Sequence, residues 1–177
     1  MTTPAPLAWY FDVISPYAYF AFLRLPELPA GTPLALTPVL FAGLLNHWGQ
    51  KGPAEIAPKR IWTYRSCAWY AASRGIPFRM PAAHPFNPLP YLRLVIAAGS
   101  TRAAVGAAFE TIWASGADPA DPATVAALAE RLGLPPAAGD ADAVKQQLRA
   151  IGQCNRCGLC NFRNQRADPN LKAGLFK

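Results

Sequence analysis

The sequence predicts an α/β protein in which one β-α-β unit is followed by a long all-α region. Residues 8–14, AWYFDVI, are rich in aromatic and β-branched residues, which favour a strand. A helix start follows at once, and a second apolar run of strand length, LALTPVLF, begins at residue 34. Residues 46–150 then show helical spacing. A crossover helix between two strands implies that the strands are parallel neighbours.

The junction between the first strand and the first helix carries the most information. Ser15 stands where an N-cap belongs, and Pro16 stands at the first helical position, where a missing N–H costs nothing. We expect this helix to cover residues 16–25 and to stop before Pro26. A side chain at such a junction faces unpaired N–H groups and the positive end of the helix dipole, which together stabilise an anion. On this spacing alone, a plain N-cap is the simpler interpretation of Ser15.

The helical region is predicted from periodicity and from its stop signals. It opens with a short helix and a polar loop, LLNHWGQKGPAEIAPKR, and continues with IWTYRSCAWYAASRG, which ends at Gly75. A proline-rich loop precedes LRLVIAAGSTRAAVGAAFETIWASG, which is either two helices or one helix broken at Gly99. Asp121 as N-cap and Pro122 start the next helix, and DADAVKQQLRA is the last helical pattern.

The composition changes near residue 150. Beyond it the helical periodicity stops, and Cys154, Cys157 and Cys160 form a C-x-x-C-x-x-C run. The run lacks the fourth cysteine and the proline of a bacterial ferredoxin cluster, so we predict no metal site. The predicted parts are an N-terminal α/β half (1–45), an α-helical insert (46–150) and an atypical basic tail that need not be structured (151–177).

Charge and composition argue against several classes of function. The net charge of +7 divides into +3 for residues 1–150 and +4 for the tail, so the main part has no basic stripe for nucleic acid. No apolar run is long enough to span a membrane, and the first residues lack the basic region of a signal peptide. Cys67 stands alone in residues 1–150, which argues against a disulfide scaffold. We expect a cytoplasmic protein without a nucleic-acid or membrane partner.

Several motifs, in this order along the chain, resemble one family. They are YFDVISPYAYFA (10–21), GQKGP and APKR (49–60), and GIPFRMP with HPFN (75–87). Together with the helices that follow, they make residues 8–150 similar to the 2-hydroxychromene-2-carboxylate isomerases and the kappa-class glutathione transferases. The resemblance implies a DsbA-like thioredoxin fold, in which a large all-α insertion follows the second strand.

The family also has elements that the sequence does not show. After its insert the family continues with a helix, a cis-proline turn, two antiparallel strands and a closing helix. No such turn or hairpin is recognisable after Ala150, so we expect the C-terminal thioredoxin half to be missing. Because the family's proline turn pairs with the glutathione backbone, an inactive remnant is one alternative.

The resemblance implies a set of site residues. Thioredoxin-like oxidoreductases place the first cysteine of a Cys-x-x-Cys pair at the strand–helix junction, but here the four residues are Ser15-Pro16-Tyr17-Ala18. The thiol would therefore arrive with glutathione, and Ser15 would be the catalytic residue that holds it as a thiolate. The implied glutathione-binding residues are Ser15, Pro16, Tyr17, Gln50 and Lys59, with Asn46 as a second amide near Gln50.

The implied reaction is the isomerisation of 2-hydroxychromene-2-carboxylate to trans-o-hydroxybenzylidenepyruvate, a step in the breakdown of naphthalene-like aromatics. A thiolate adds to the conjugated system, the new single bond rotates, and the thiolate leaves. Tyr17, Trp48 and Arg60 are the implied contacts for this small aromatic carboxylate, and a homodimer is a further expectation. A kappa-like glutathione transferase or peroxidase that uses the same Ser15 is an alternative. A metal-binding module based on the tail cysteines is another.

Overall fold

The computed structural model describes residues 7–135 and 137–157 of the chain. Two strands come first, with one helix between them, and helices follow to the end of the described part. In chain order the elements are β1 (Leu7–Phe11), α1 (Pro16–Arg24), β2 (Leu34–Pro38), α2 (Phe41–His47), α3 (Ala57–Ser73), α4 (Leu89–Ala97), α5 (Arg102–Trp113), α6 (Pro122–Arg131) and α7 (Asp142–Cys157). Single turns of 3-10 helix lie at Leu25–Glu27, Pro53–Glu55 and Ala138–Asp140.

The predicted β-α-β unit is confirmed, and its two strands are parallel. The register pairs Leu7 with Leu34 and Phe11 with Pro38. The N–H of Val39 donates to the carbonyl of Phe11 at 2.8 Å, which closes the end of the ladder. The two strands therefore end side by side, and the chain leaves both of them at the same edge.

The first strand is shorter than predicted. Residues 12–14 were expected to extend it, but β1 ends at Phe11 and a turn follows, in which the Ser15 N–H donates to the Asp12 carbonyl at 3.1 Å. The backbone of the turn bonds to side chains rather than to a neighbouring strand. Because β-branched and aromatic residues favour both a strand and a buried turn, composition alone could not separate the two.

The helices follow the predicted order, but several boundaries differ; α4, for example, begins at Leu89, three residues before the expected Leu92. At Gly99, where the sequence left two alternatives, the structure separates α4 from α5. Asp121 and Pro122 cap and open α6 as predicted, since the Asp121 carboxylate accepts from the Ala123 N–H at 2.8 Å. Helix α3, however, begins four residues before the expected Ile61, because the proline of APKR sits in its first turn, a position that proline favours.

The core is centred on the aromatic ring of Phe109 in α5. The ring centroids of Trp9 and Phe11 from β1 lie 6.4 and 5.7 Å from it, and those of Tyr19 and Phe22 from α1 lie 6.0 and 5.5 Å away. All these separations are within the range of favourable aromatic pairs. The helical region therefore packs directly on the β-α-β unit, and the two share one core.

The last helix passes through the composition boundary near residue 150. Helix α7 continues to Cys157, so the change of composition does not end the helix. The side chains of Cys154 and Cys157, and all of residues 158–177, lie outside the described part, and so do the predictions about the C-x-x-C-x-x-C run and the missing C-terminal strands.

The described residues contain neither a candidate membrane span nor a candidate metal cluster. No helix among them is long and apolar enough to cross a membrane. No group of three or more His, Cys, Asp or Glu side chains within the described ranges is placed to hold a metal ion.

Trp113 gives a stability prediction for this core. Its ring is fully buried, and its indole N–H donates to the Val13 carbonyl at 2.9 Å. Trp113→Phe removes the donor and leaves that carbonyl buried without a partner, so we expect the free energy of unfolding to fall by about 2 to 4 kcal/mol in urea denaturation. Trp69→Phe is the matched control, since the Trp69 side chain is 71% exposed; we expect it to change stability by no more than about 0.5 kcal/mol. Equal effects of the two variants would contradict this account.

Candidate functional site

A cavity of about 520 Å³ opens at the edge where the two strands end. Its wall combines the N-terminus of α1, the first turns of α2, the 3-10 turn at Pro53–Glu55 and the loop around His84. The volume is within the usual range for small-molecule sites, about 300–1,000 Å³. The cavity is the candidate functional site because the strand–helix junction singled out by the sequence lies in its wall.

Ser15 caps α1, and this prediction is confirmed. Its backbone is extended, and its Oγ accepts from the Ala18 N–H at 3.3 Å. The Tyr19 N–H donates to the Ser15 carbonyl at 3.2 Å, and Pro16 has no N–H. The hydroxyl hydrogen of Ser15 is not used by the cap, since Oγ acts there as an acceptor. It is therefore able to donate to a ligand atom in the cavity.

The Tyr17 N–H is the free donor of the first turn of α1. Pro16 has none, and the N–H groups of Ala18 and Tyr19 are bonded to Ser15. Among the described residues, no acceptor bonds the Tyr17 N–H. A free N–H and a serine hydroxyl at the positive end of a nine-residue helix form a place for an anion at the cavity wall.

A buried carboxylate connects this junction to the opposite wall. Asp12 is 4% exposed, and its two oxygens accept from the N–H of Ile14 at 3.0 Å and the N–H of Phe41, the first residue of α2, at 2.8 Å. Burial raises the pKa of Asp12 from an ordinary 3.8 to about 6, against the lowering effect of the two N–H donors. Asp12 thereby fixes the distance between the α1 and α2 sides of the cavity.

Two carbonyls just before Ser15 accept from side chains of the helical region. The Trp113 indole N–H bonds to the Val13 carbonyl, and His84 Nε2 lies 2.9 Å from the Ile14 carbonyl. The other ring nitrogen of His84 lies 2.8 Å from the hydroxyl of Tyr64. Burial lowers the pKa of His84, so its imidazole is neutral at pH 7.

The rest of the wall is mostly apolar. It includes Phe41, Leu45 and Phe86, together with several prolines. The wall contains Glu55, whose Oε1 accepts from the Gly52 N–H at 2.7 Å, and among the described residues no lysine or arginine side chain lines the cavity. An anion at the α1 end would therefore be held by N–H and O–H groups and by the helix dipole, not by a cationic side chain.

The structure gathers some of the predicted site residues and leaves others outside. The predicted residues that line the cavity are Ser15, Pro16, Tyr17, Gln50 and Asn46. Tyr17 is 47% exposed, and its hydroxyl lies 3.4 Å from the Oγ of a serine in α3. The cavity thus brings together residues at the start of α1 and residues at the end of α2, which are about 30 positions apart in the sequence.

Lys59, Arg60 and Trp48 are not part of the cavity wall. Lys59 and Arg60 were expected in a loop, but both lie in the first turn of α3 and are exposed. Trp48, just after α2, is 63% exposed. The roles assigned to these three residues stay predictions, and any contact with a ligand would be made from outside the wall.

Sequence reasoning missed most of the far wall. His84 of the HPFN segment lines the cavity, and the Asn87 side chain of the same segment accepts from the Leu89 N–H at 3.1 Å. Phe41 and Leu45 carry no motif that would have identified them. The position of Ser15 at a strand end was the available signal, because the segment following the neighbouring strand must open at the same edge.

Cys67 does not supply a thiolate to the site. The side chain is 1% exposed in α3, and burial raises the pKa of its thiol. The nearby hydroxyls of Tyr17 and Ser66 act to lower the pKa of this thiol, but burial outweighs them. A buried thiol with a raised pKa is a poor nucleophile, so Cys67, the one cysteine whose side chain the structure describes, does not supply a thiolate there.

The comparisons with known proteins agree with this architecture. The family model for the DSBA-like thioredoxin domain matches residues 7–152. The "2-hydroxychromene-2-carboxylate isomerase" of Sphingobium xenophagum is 31% identical over 148 residues, which cover 80% of this chain and 73% of that protein. The "Glutathione s-transferase kappa 2" of Caenorhabditis elegans is 37% identical over 76 residues, or 41% of this chain and 34% of that protein.

A solved structure gives the same fold. The structure of a 2-hydroxychromene-2-carboxylate isomerase superposes with a TM-score of 0.66 at 21% sequence identity, covering 86% of this chain and 79% of that one. At this level of identity the likeness establishes the fold alone. The predicted fold class, a DsbA-like thioredoxin fold with mostly helical content and a small sheet, is confirmed.

Asp12 gives a pH prediction. Since its pKa is higher in the folded chain than in the unfolded one, its contribution to stability is complete below pH 3.8 and is lost as the pH rises to about 6. Asp12→Asn removes this dependence. We expect the wild type to lose about 2 kcal/mol relative to the variant between pH 4 and pH 7, measured by urea denaturation at each pH.

The control is Glu130→Gln, which neutralises an exposed carboxylate of α6. We expect its stability difference from the wild type to stay nearly constant over the same range. A constant difference for Asp12→Asn as well would mean that the buried carboxyl titrates normally.

Proposed function

Because the chain belongs to the family of DSBA-like thioredoxin domains, we propose that it is a glutathione-dependent isomerase. Its substrate in this proposal is 2-hydroxychromene-2-carboxylate, which it converts to trans-o-hydroxybenzylidenepyruvate. The choice of substrate rests on the name of the relative that is 31% identical over 80% of this chain. The proposal also includes a cytoplasmic location and assembly as a homodimer.

The observation that carries the proposal is the anion site without a cysteine. The Ser15 hydroxyl and the free Tyr17 N–H lie together at the α1 end of an apolar cavity, and the Ser-Pro-Tyr-Ala sequence offers no thiol. A disulfide oxidoreductase needs its own cysteine there. A protein that borrows a thiol needs only the means to hold it as an anion.

The cavity fits glutathione in size and chemistry. A tripeptide is within the range of ligands that a cavity of about 520 Å³ accepts. The unpaired Tyr17 N–H has the polarity that a thiolate sulfur requires, and the Gln50 amide is a neutral partner for the peptide groups of a ligand. The Glu55 carboxylate has the charge that suits an ammonium group.

Each residue of the site has a defined task in this reaction. Glutathione, when bound, supplies a thiolate that adds to the conjugated double bond and leaves after rotation, so no net oxidation occurs. Ser15 donates its hydroxyl hydrogen to the sulfur, and the Tyr17 N–H and the α1 dipole lower the free energy of the anion further. Phe41, Leu45 and Phe86 form a water-poor wall for an aromatic ring.

A kappa-like glutathione transferase is the second candidate. The observation that favours it is the 37% identity over 76 residues to the kappa relative. The same serine and the same thiolate would serve both reactions, which differ in the electrophile. Isomerisation of the chromene substrate without consumption of glutathione favours the isomerase, whereas formation of a stable thioether favours the transferase.

The first experiment is a calorimetric titration of the full chain with glutathione in the presence of a reductant. Saturable binding with a dissociation constant in the micromolar to low-millimolar range supports the proposal, and S-methylglutathione, which cannot form a thiolate, is expected to bind more weakly. A folded chain that gives no heat with either compound would contradict the proposed function and support the alternative that the chain is an inactive remnant.

Ser15→Ala tests the assignment directly. We expect the pKa of the bound glutathione thiol to rise towards about 8.5, because both the hydroxyl donor and the cap are lost. The turnover number should fall about 100-fold, the usual effect of removing one donor from a developing anion. The measurements are the ultraviolet absorbance of the thiolate against pH and steady-state kinetics.

Thr101→Ala is the matched control for the loss of an N-cap. The Thr101 hydroxyl caps α5 as Ser15 caps α1, accepting from the Ala104 N–H at 3.2 Å. Each variant is expected to lose about 1 kcal/mol of stability, but only Ser15→Ala should alter the thiolate. If both variants leave the thiolate unchanged, Ser15 is a cap and nothing more.

A further inference from the structure

We propose that His84 is a positioning residue of this site: through the Ile14 carbonyl it holds the Ser15 hydroxyl and the Tyr17 N–H in the geometry that binds a thiolate. The effect of His84 on catalysis rests on the proposed function. The positioning itself is a property of the free chain. His84 is 70 residues from Ile14 along the sequence, and the contact joins the helical region to the junction.

The proton of the His84 ring can be placed from its partners. The Ile14 carbonyl can only accept, so Nε2, at 2.9 Å, carries the hydrogen and donates it. In a neutral ring Nδ1 is then an acceptor, and the Tyr64 hydroxyl at 2.8 Å is the donor that meets it. Both nitrogens are used, and the orientation of the ring is fixed.

Tyr64 holds His84 by its backbone as well as by its ring. The same hydroxyl also lies 2.9 Å from the His84 carbonyl, so its one hydrogen is shared between that carbonyl and Nδ1. Because Tyr64 is in the middle of α3, it connects His84 to a rigid element. The His84 ring also packs on Trp113, with ring centroids 5.6 Å apart. Rotation of the imidazole away from Ile14 would break these contacts together.

The Ile14 carbonyl is the last backbone acceptor before the cap. The Ile14 N–H is held by Asp12, and the Val13 carbonyl by Trp113, so the His84 contact completes the restraint on the residue that precedes Ser15. Without it, only the bond from the Ser15 N–H to the Asp12 carbonyl restrains the peptide between Ile14 and Ser15, and a small rotation of that peptide turns the Ser15 side chain. A displacement of about 1 Å at a reacting group can cost about 100-fold in rate.

A pair of substitutions separates this role from general stability. In His84→Gln the side-chain nitrogen reaches about as far as Nε2 and can still donate to the Ile14 carbonyl. In His84→Asn the nitrogen reaches only as far as Nδ1, so the donation is lost. The control is His47→Gln, on an exposed histidine at the end of α2 that does not line the cavity.

The first measurement uses the chain without any ligand. We expect exchange of the three hydrogen-bonded amides of Ser15, Ala18 and Tyr19 to be at least about 10-fold faster in His84→Asn than in the wild type, and nearly normal in His84→Gln. Equal exchange in the Asn variant and the wild type would overturn the positioning role. This result does not depend on glutathione, so it is separate from any failure of the proposed function.

The second measurement is the thiolate of bound glutathione. At pH 7 the thiolate fraction should fall several-fold in His84→Asn and be restored in His84→Gln, and the turnover number should fall about 10- to 100-fold with a smaller change in KM. A variant that loses thermal stability but keeps a normal thiolate would show that His84 is structural only. A wild type that binds no thiolate would refute the proposed function while leaving the exchange result to decide the positioning.

Tyr64→Phe is the second variant, in case His84→Asn does not fold. It removes the hydroxyl that fixes both the ring and the carbonyl of His84, and leaves the Nε2 donor in place. We expect a smaller change of the same sign in both measurements. No change in either would contradict the inference.

Discussion

The structure depends on how the four residues between β1 and α1 are bonded. A turn that leaves a two-stranded sheet has no neighbouring strand to satisfy its backbone, and a buried polar group without a partner is costly. Asp12 accepts the N–H groups of Ile14 and Phe41, and side chains of Trp113 and His84 donate to the carbonyls of residues 13 and 14. The carbonyls of residues 13 and 14 are therefore satisfied by side chains distant in sequence, whereas the Ile14 N–H is satisfied by Asp12 within the turn.

This pattern makes the site a joint product of both parts of the chain. The sequence assigned the anion-binding junction to the N-terminal unit and the helices to a separate insert. Yet the turn is held by side chains of the helical region, and Phe109 of α5 packs on both β1 and α1. The geometry at Ser15 consequently depends on the helical region being folded and docked.

Local signals were read correctly, and long-range contacts were not. The cap at Ser15, the parallel strands and the start of α6 at Pro122 follow from short-range backbone chemistry, which a sequence displays directly. The end of β1 and the roles of His84 and Trp113 depend on partners 70 or 100 residues away. The resemblance supplied the fold, but it also suggested cationic residues at the ligand, and the structure places Lys59 and Arg60 outside the cavity wall.

Among the residues that the structure describes, no lysine or arginine side chain lines that wall, and this determines how an anion can be stabilised there. Asp12 is ionised at pH 7, since its pKa is about 6, and its charge lies three residues before Ser15. A thiolate at the α1 end would meet this like charge without a lysine or arginine in the wall to offset it. The opposing contribution has to come from fixed dipoles: the Ser15 hydroxyl, the Tyr17 N–H and the helix itself. Dipoles act over a shorter range than charges, so this site requires an accurate backbone geometry at Ser15, and the side-chain bonds to the turn supply it.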